Sequence, residues 1–159
     1  MGDANAYELM ADADKAKGDS KAETAVLTAY QQEGGQIPDV LKRLAGLEEG
    51  AGQIDKATAT LERINYIYPL KDEELHRRLG HMLYAQKQYD GAIREYRALV
   101  SSSPLDKAGA QFDLARAYYA AGQRDKAEEC VLAALETAPG YRPAQKLLLE
   151  LQQNPAKAN

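Results

Sequence analysis

The side chains best suited to chemistry in this 159-residue chain are few: two histidines, His76 and His81, and one cysteine, Cys130. The histidines stand five apart, whereas two zinc ligands on one helix need a spacing near four, and no His-Glu-x-x-His run accompanies them. No metal site is expected. Glu48 and Glu49, Glu73 and Glu74, and Glu128 and Glu129 are adjacent carboxylates. Adjacent residues point to different faces of a helix, so these pairs read as solvated surface. Gly34 and Gly35, and the run Gly50, Ala51, Gly52, lack the following Lys-Ser/Thr of a phosphate loop and read as turns. No nucleophile, base and orienting group assemble from these spacings, so neither a catalytic site nor a cofactor is expected. Cys130 has no internal partner for a disulfide and reads as a small buried apolar side chain.

The elements that would position any site repeat along the chain. Pro69, Pro104 and Pro139 are 35 residues apart. At the same offset Leu44, Leu79 and Leu114 align, each followed by a small residue, Ala45, Gly80 or Ala115. Gln53, Gln88 and Gln123, Asp55, Asp90 and Asp125, and Ala57, Ala92 and Ala127 follow in register. A fixed period of this length is the mark of a stacked array. Each unit reads as two helices. In the third, Leu75, Leu79, Met82 and Leu83 recur at helical spacing, Gln88 to Asp90 break the pattern, and Ala92, Ile93, Tyr96, Leu99 and Val100 form a second apolar face. Pro104 ends it. Asp90 and Asp125 are expected just before their helices, accepting from free amides. Gly80 and Ala115 are expected to face Ala92 and Ala127, letting the helices approach closely.

This pattern resembles the tetratricopeptide repeat. The third unit supplies Leu79, Gly80, Tyr84, Ala92, Tyr96 and Pro104, and the fourth Leu114, Ala115, Tyr118, Ala127, Val131 and Pro139. The second supplies Leu44, Ala45, Ala57, Leu61 and Pro69, with Glu48 at the aromatic place. The first is matched to Leu9, Met10, Ala22, Val26 and Ala29, and ends in glycines. The family's period is about 34 residues and its opening Trp is absent here; His76 stands there in the third unit. The resemblance implies an all-α, right-handed α-solenoid of about four helix hairpins, in units of about 3–36, 38–71, 73–106 and 108–141. A capping helix over 143–153 follows, with Pro143 in its first turn. Residues 3–153 form one domain in this reading, and 154–159 a disordered tail.

In this family the first helices of successive units line a concave groove. Carried onto this chain, the resemblance places Lys42, Gly46 and Glu49, then Arg77, His81 and Tyr84, then Phe112, Arg116 and Tyr119 in that groove, with Arg43 and Arg78 at its border. Helical spacing by itself puts 77, 81 and 84 on one face, and 112, 116 and 119 on another. The expected ligand is a protein or peptide segment of acidic character, met by guanidinium forks and by tyrosine and phenylalanine rings. The competing arrangement pairs these arginines with Asp72, Glu73, Glu74 or Asp113. The Lys and Asn with which some members clamp chaperone C-termini are replaced by Tyr7 and Ala11, which argues against that clamp.

The cap carries Leu147, Leu148, Leu149 and Leu151. Leu147 and Leu151 are expected on the groove side, as an association surface for a two-fold homodimer or a following repeat, and Leu149 against the preceding hairpin. Burial of these leucines on the fourth hairpin is the alternative. The second functional reading is therefore a structural or regulatory segment of a larger, enzymatic or other, protein. A net charge of −4 gives no case for nucleic acid, and no apolar run of about 20 residues is present to insert in a membrane. Met1 and Gly2 lead almost directly into the first helix, as in a segment cut from a longer protein. The expected compartment is the cytoplasm if these residues are the whole protein; a fragment could equally come from an exported protein.

Overall fold

A computed structural model describes residues 4–67 and 72–153. Among these residues the fold is all α, with nine helices: α1 (Ala4–Ala16), α2 (Ser20–Gln32), α3 (Pro38–Gly50), α4 (Ile54–Ile67), α5 (Glu73–Ala85), α6 (Tyr89–Ser101), α7 (Lys107–Ala120), α8 (Arg124–Thr137) and α9 (Arg142–Gln153). They pair as hairpins of the α-solenoid class, followed by a last single helix. Two compact units are present, residues 1–70 with α1 to α4 and residues 71–159 with α5 to α9. Pro69, Lys71 and residues 154–159 lie outside the described residues.

In the first unit α1 packs on α2, α2 on α3 and α3 on α4. Leu44, Ala45, Ala57 and Leu61 form its core as the repeat predicts. The assignment of the first hairpin is corrected by one residue. Leu9 and Met10 are exposed, Met10 by 56 %, while Ala11 and Leu27 are fully buried. The place of Ala57 is taken by Glu23, which is buried beside Arg43. The first two units are thus 34 apart (Ala11 to Ala45, Leu27 to Leu61), not 35. In the corrected register the clamp positions fall on Glu8 and Asp12 in place of Tyr7 and Ala11, and neither is a Lys or an Asn.

In the second unit α5 packs on α6, α6 on α7, α7 on α8, and α9 on α8 and α7. Leu79, Ala92, Tyr96, Leu114, Ala115, Ala127 and Val131 are buried. Gly80 is buried too, but it faces Tyr96: a Cβ there would stand 2.5 Å from Tyr96 Cε1. The close approach is therefore made to the aromatic ring one helical turn beyond Ala92. The core place given to Tyr84 belongs to Leu83, which aligns with Glu48 and Tyr118, all three buried.

The turns inside the hairpins share one design. Gly18, Gly52, Lys87 and Gly122 have φ of 72°, 72°, 60° and 76°. The next N–H bonds back to a carbonyl five residues earlier, Gln53 to Glu48 at 2.8 Å, Gln88 to Leu83 at 2.8 Å and Gln123 to Tyr118 at 2.9 Å, which satisfies the helix C-terminus. The break between α5 and α6 is thus at Gln86 to Gln88, and Gln88 and Gln123 are the residues before α6 and α8. Asp90 and Asp125 lie inside the first turn, where they favour the positive helix end but do not cap it. Amides are capped by Asp19, Asp72 and Asp106 instead, at α2, α5 and α7.

Candidate binding groove

The groove residues of the second unit come from α5 and α7, with α9 as a further wall. Tyr84, Phe112, Arg116 and Tyr119 line one pocket of ≈ 320 Å³ together with Pro143, Lys146, Leu147 and Glu150. The Arg116 guanidinium stacks over Tyr84, its Cζ 4.7 Å from the ring centroid, and lies 5.9 Å from that of Phe112. Phe112 is held in turn edge-on by Tyr141, centroids 5.5 Å apart. Tyr84 leans on Tyr89, and Arg124 reaches over Tyr119. Aromatic neighbours therefore hold Arg116 in place; among the described residues no carboxylate lies within ion-pair distance of it.

Arg77 and His81 are arranged differently. Arg77 bonds Glu73 at 3.2 Å and lies 3.7 Å from Asp113, and His81 Nε2 is 3.2 Å from the same Asp113 oxygen. The competing arrangement is realised here: Asp113, rising from α7, takes up part of the positive charge of α5. Lys42 stands half-buried on α3 in the first unit and is not without a partner. Arg43, half-buried, is committed to two acids, its Nε 2.6 Å from Glu23 and its Nη1 2.6 Å from Asp12. Burial works against its charge, but these two carboxylates outweigh it and hold the guanidinium proton more firmly than usual.

The cap keeps Leu147 on the groove side, as expected, but buries it, and it turns Leu149 away from the preceding hairpin. Leu147 is 6 % exposed and Leu151 is buried, whereas Leu149 is 55 % exposed. α9 turns Leu147 into the floor of the groove pocket, and Arg124 donates to the Leu151 carbonyl at 2.5 Å. The two leucines expected as an association surface therefore complete the core of the last hairpin, which is the burial alternative.

Buried carboxylates depart from the sequence reading, which leaves Glu95 aside and takes Glu48 for solvated surface. Glu95 is 1 % exposed, between His76 (Nδ1 to Oε2, 2.9 Å) and Arg94 (Nε to Oε1, 2.9 Å). Burial would raise its pKa, but bonds from His76 and Arg94 prevail and hold the carboxyl below its ordinary value. Glu48, buried, accepts from Thr60 Oγ1 at 2.9 Å, and Thr60 accepts from Gln31 at 3.1 Å. Burial raises the Glu48 pKa, partly offset by Thr60 and Lys56. The signal was position: residues 48 and 95 fall on the apolar stripes of their helices. Cys130 is half-buried, and burial, with the charge of Glu129, pushes its thiol up to about 11.

Among the described residues no group of three or more His, Cys, Asp or Glu is arranged to hold a metal ion, and no helix is long and apolar enough to cross a membrane.

Residues 83–151 match the tetratricopeptide repeat family model. That segment belongs to the tetratricopeptide repeat family, and the described helices on either side of residue 70 share its hairpin fold. Comparison with curated proteins finds no match. Among solved structures, the 41-to-end segment of MamA from Desulfovibrio magneticus RS-1 is 22% identical, with a TM-score of 0.73, over 97% of this chain and 86% of that one. YrrB, a TPR protein with an unusual peptide-binding site, is 20% identical, with a TM-score of 0.68, over 89% of this chain and 72% of that one. The first TPR of Spaghetti (RPAP3), bound to the HSP90 peptide SRMEEVD, is 18% identical, with a TM-score of 0.61, over 72% of this chain and 89% of that one. At these identities the likeness is one of fold.

Proposed function

We propose that this chain is a protein-binding module without catalysis of its own, which holds an acidic peptide or protein segment in the groove of α5, α7 and α9. The observation that carries the reading is Arg116, stacked over Tyr84 at 4.7 Å and free of any carboxylate partner among the described residues. A guanidinium fixed by stacking loses little side-chain entropy on meeting an anion, and its fork fits a carboxylate. Phe112 and Tyr119 supply the apolar contact, and Lys146 adds charge at the wall. Two structures of similar fold carry peptides or a peptide site, one of them an acidic peptide. With Leu147 and Leu151 buried, docking through the cap would rest on Leu149, which weighs against that second reading.

The test is fluorescence anisotropy with an array of acidic peptides, SRMEEVD among them, against copies carrying Gln and Asn for Glu and Asp. Acidic peptides should bind, their neutral copies should not, and Arg116→Glu should weaken binding about tenfold or more. Equal binding of acidic and neutral peptides, or no loss in Arg116→Glu, overturns the reading.

A further inference from the structure

A second concavity, of ≈ 440 Å³, opens between α6, α7 and α8. It does not share the groove's face of α7. Gln111, Leu114 and Tyr118 line it, while Phe112, Arg116 and Tyr119 line the groove, and at 100° per residue the two sets point in different directions. Its volume falls within the range of small-ligand sites.

Its cations have no carboxylate partner among the described residues. Tyr118 is 8 % exposed, yet its hydroxyl makes no hydrogen bond among the described residues; the ring's one partner is the Lys126 ammonium, 5.5 Å from the centroid. The ring is buried while the hydroxyl keeps contact with solvent in the pocket, so it can donate to a group that enters. Arg97 borders the same space and makes no ion pair among the described residues. Lys126 bonds only the neutral Gln123 amide, at 2.9 Å. Val100 and Leu114 give the pocket an apolar side. Glu129 is the one carboxylate in the lining and disfavours an anion at its own edge. One hydroxyl donor and two cations over an apolar wall select an anion that accepts hydrogen bonds and carries a short apolar group.

We propose that this pocket is a second binding site, separate from the groove, for a carboxylate next to an aliphatic side chain, with the carboxylate on Tyr118 and Arg97 and the aliphatic group on Val100 and Leu114. Such a carboxylate is either an acidic side chain or the C-terminus of a polypeptide. A protein bound in the groove and a peptide bound here would occupy the second unit from two sides.

The test uses nuclear magnetic resonance of the labelled chain with three probes: acetyl-leucine, with a free terminal carboxylate; acetyl-glutamyl-leucine amide, whose carboxylate is on the glutamyl group; and acetyl-leucine amide, with none. At least one acid should move the Tyr118 and Cys130 signals saturably and slow alkylation of Cys130, and the amide should do neither. Whichever acid binds tighter names the source. Tyr118→Phe keeps the ring volume and should weaken the acid about three- to tenfold; Arg97→Glu should weaken it about tenfold or more. Arg116→Glu, in the groove, should leave this affinity unchanged, so the two sites fail or stand separately. No saturable shift with either acid, equal shifts with the amide, or unaltered affinity in Tyr118→Phe and Arg97→Glu overturns the proposal.

Discussion

Gly80 lies against the ring of Tyr96, so close that a Cβ would stand 2.5 Å from Cε1 and 3.0 Å from Cζ. At the equivalent places the pairs are Ala45 with Leu61 and Ala115 with Val131, all buried. A larger residue on the second helix is thus matched by a smaller one on the first. Gly80→Ala should cost about 1–3 kcal/mol by overpacking, more than the ~1 kcal/mol that Ala gains by helix propensity. Urea midpoints check it. Tyr96→Leu in the same protein should remove much of that cost, so a double-mutant cycle that comes out additive would contradict the pairing.

Lys87 holds φ at 60° where its equivalents are glycines. A non-glycine residue in this conformation costs roughly 1–2 kcal/mol, and Lys87 is exposed, so no lost packing offsets the relief. Lys87→Gly should raise stability by up to about 1 kcal/mol and Tm by about 3 °C after the entropy of the unfolded glycine is counted. Calorimetry checks it, with Gly122→Lys as the reciprocal, destabilised variant.

The period of the second to fourth units is legible in the sequence because burial forces the same side-chain size at the same place. The first unit reads one residue out of place because its marker alanine is Glu23, a buried acid that Arg43 stabilises. Once an ion pair replaces a small apolar side chain, size and hydrophobicity no longer mark the position. The one-residue difference in period between the first and second units is then hidden. The cap misleads for a related reason. Leucines at 147, 148, 149 and 151 cover most of a helix circumference, so their pattern does not say which side is buried; packing on α8 and α7 does. In the groove, helical spacing identifies the faces of α5 and α7, but not that Asp113 reaches across to Arg77 and His81. That contact depends on the separation of two helices, which neither helix encodes alone.

Glu95 sets a pH dependence. An ionised carboxylate only accepts, so His76 Nδ1 carries the proton in their 2.9 Å bond. The folded pKa of Glu95 lies below its ordinary value of 4.5. The ionised form is therefore favoured by folding. Its contribution is fully present above pH 4.5 and is lost as pH falls through the lowered folded value. Glu95→Gln removes the charge and should cost about 1–3 kcal/mol at pH 7. The difference from wild type should shrink as the pH is lowered below 4.5. Denaturant midpoints across this range check it; a difference that stays constant into acid would contradict the account.

Asp113 limits the groove's positive charge. It faces Arg77 at 3.7 Å and His81 at 3.2 Å, and it is partly shielded from solvent. Asp113→Asn keeps the shape and hydrogen-bonding atoms but releases both cations toward the groove. The pairs are near the surface, so their loss should cost no more than about 1 kcal/mol of stability. Affinity for an acidic peptide should rise by about two- to tenfold, mainly through a faster association rate, and should fall more steeply with added salt. Surface-resonance kinetics at two ionic strengths check both. Charge from Arg77 would add to Arg116 in attracting the ligand, so Asp113→Asn with Arg116→Glu should recover part of the affinity that Arg116→Glu alone removes. If Asp113→Asn instead weakens binding, Asp113 positions Arg77 for the ligand, and the carboxylate is an organising part of the groove, not a brake on it.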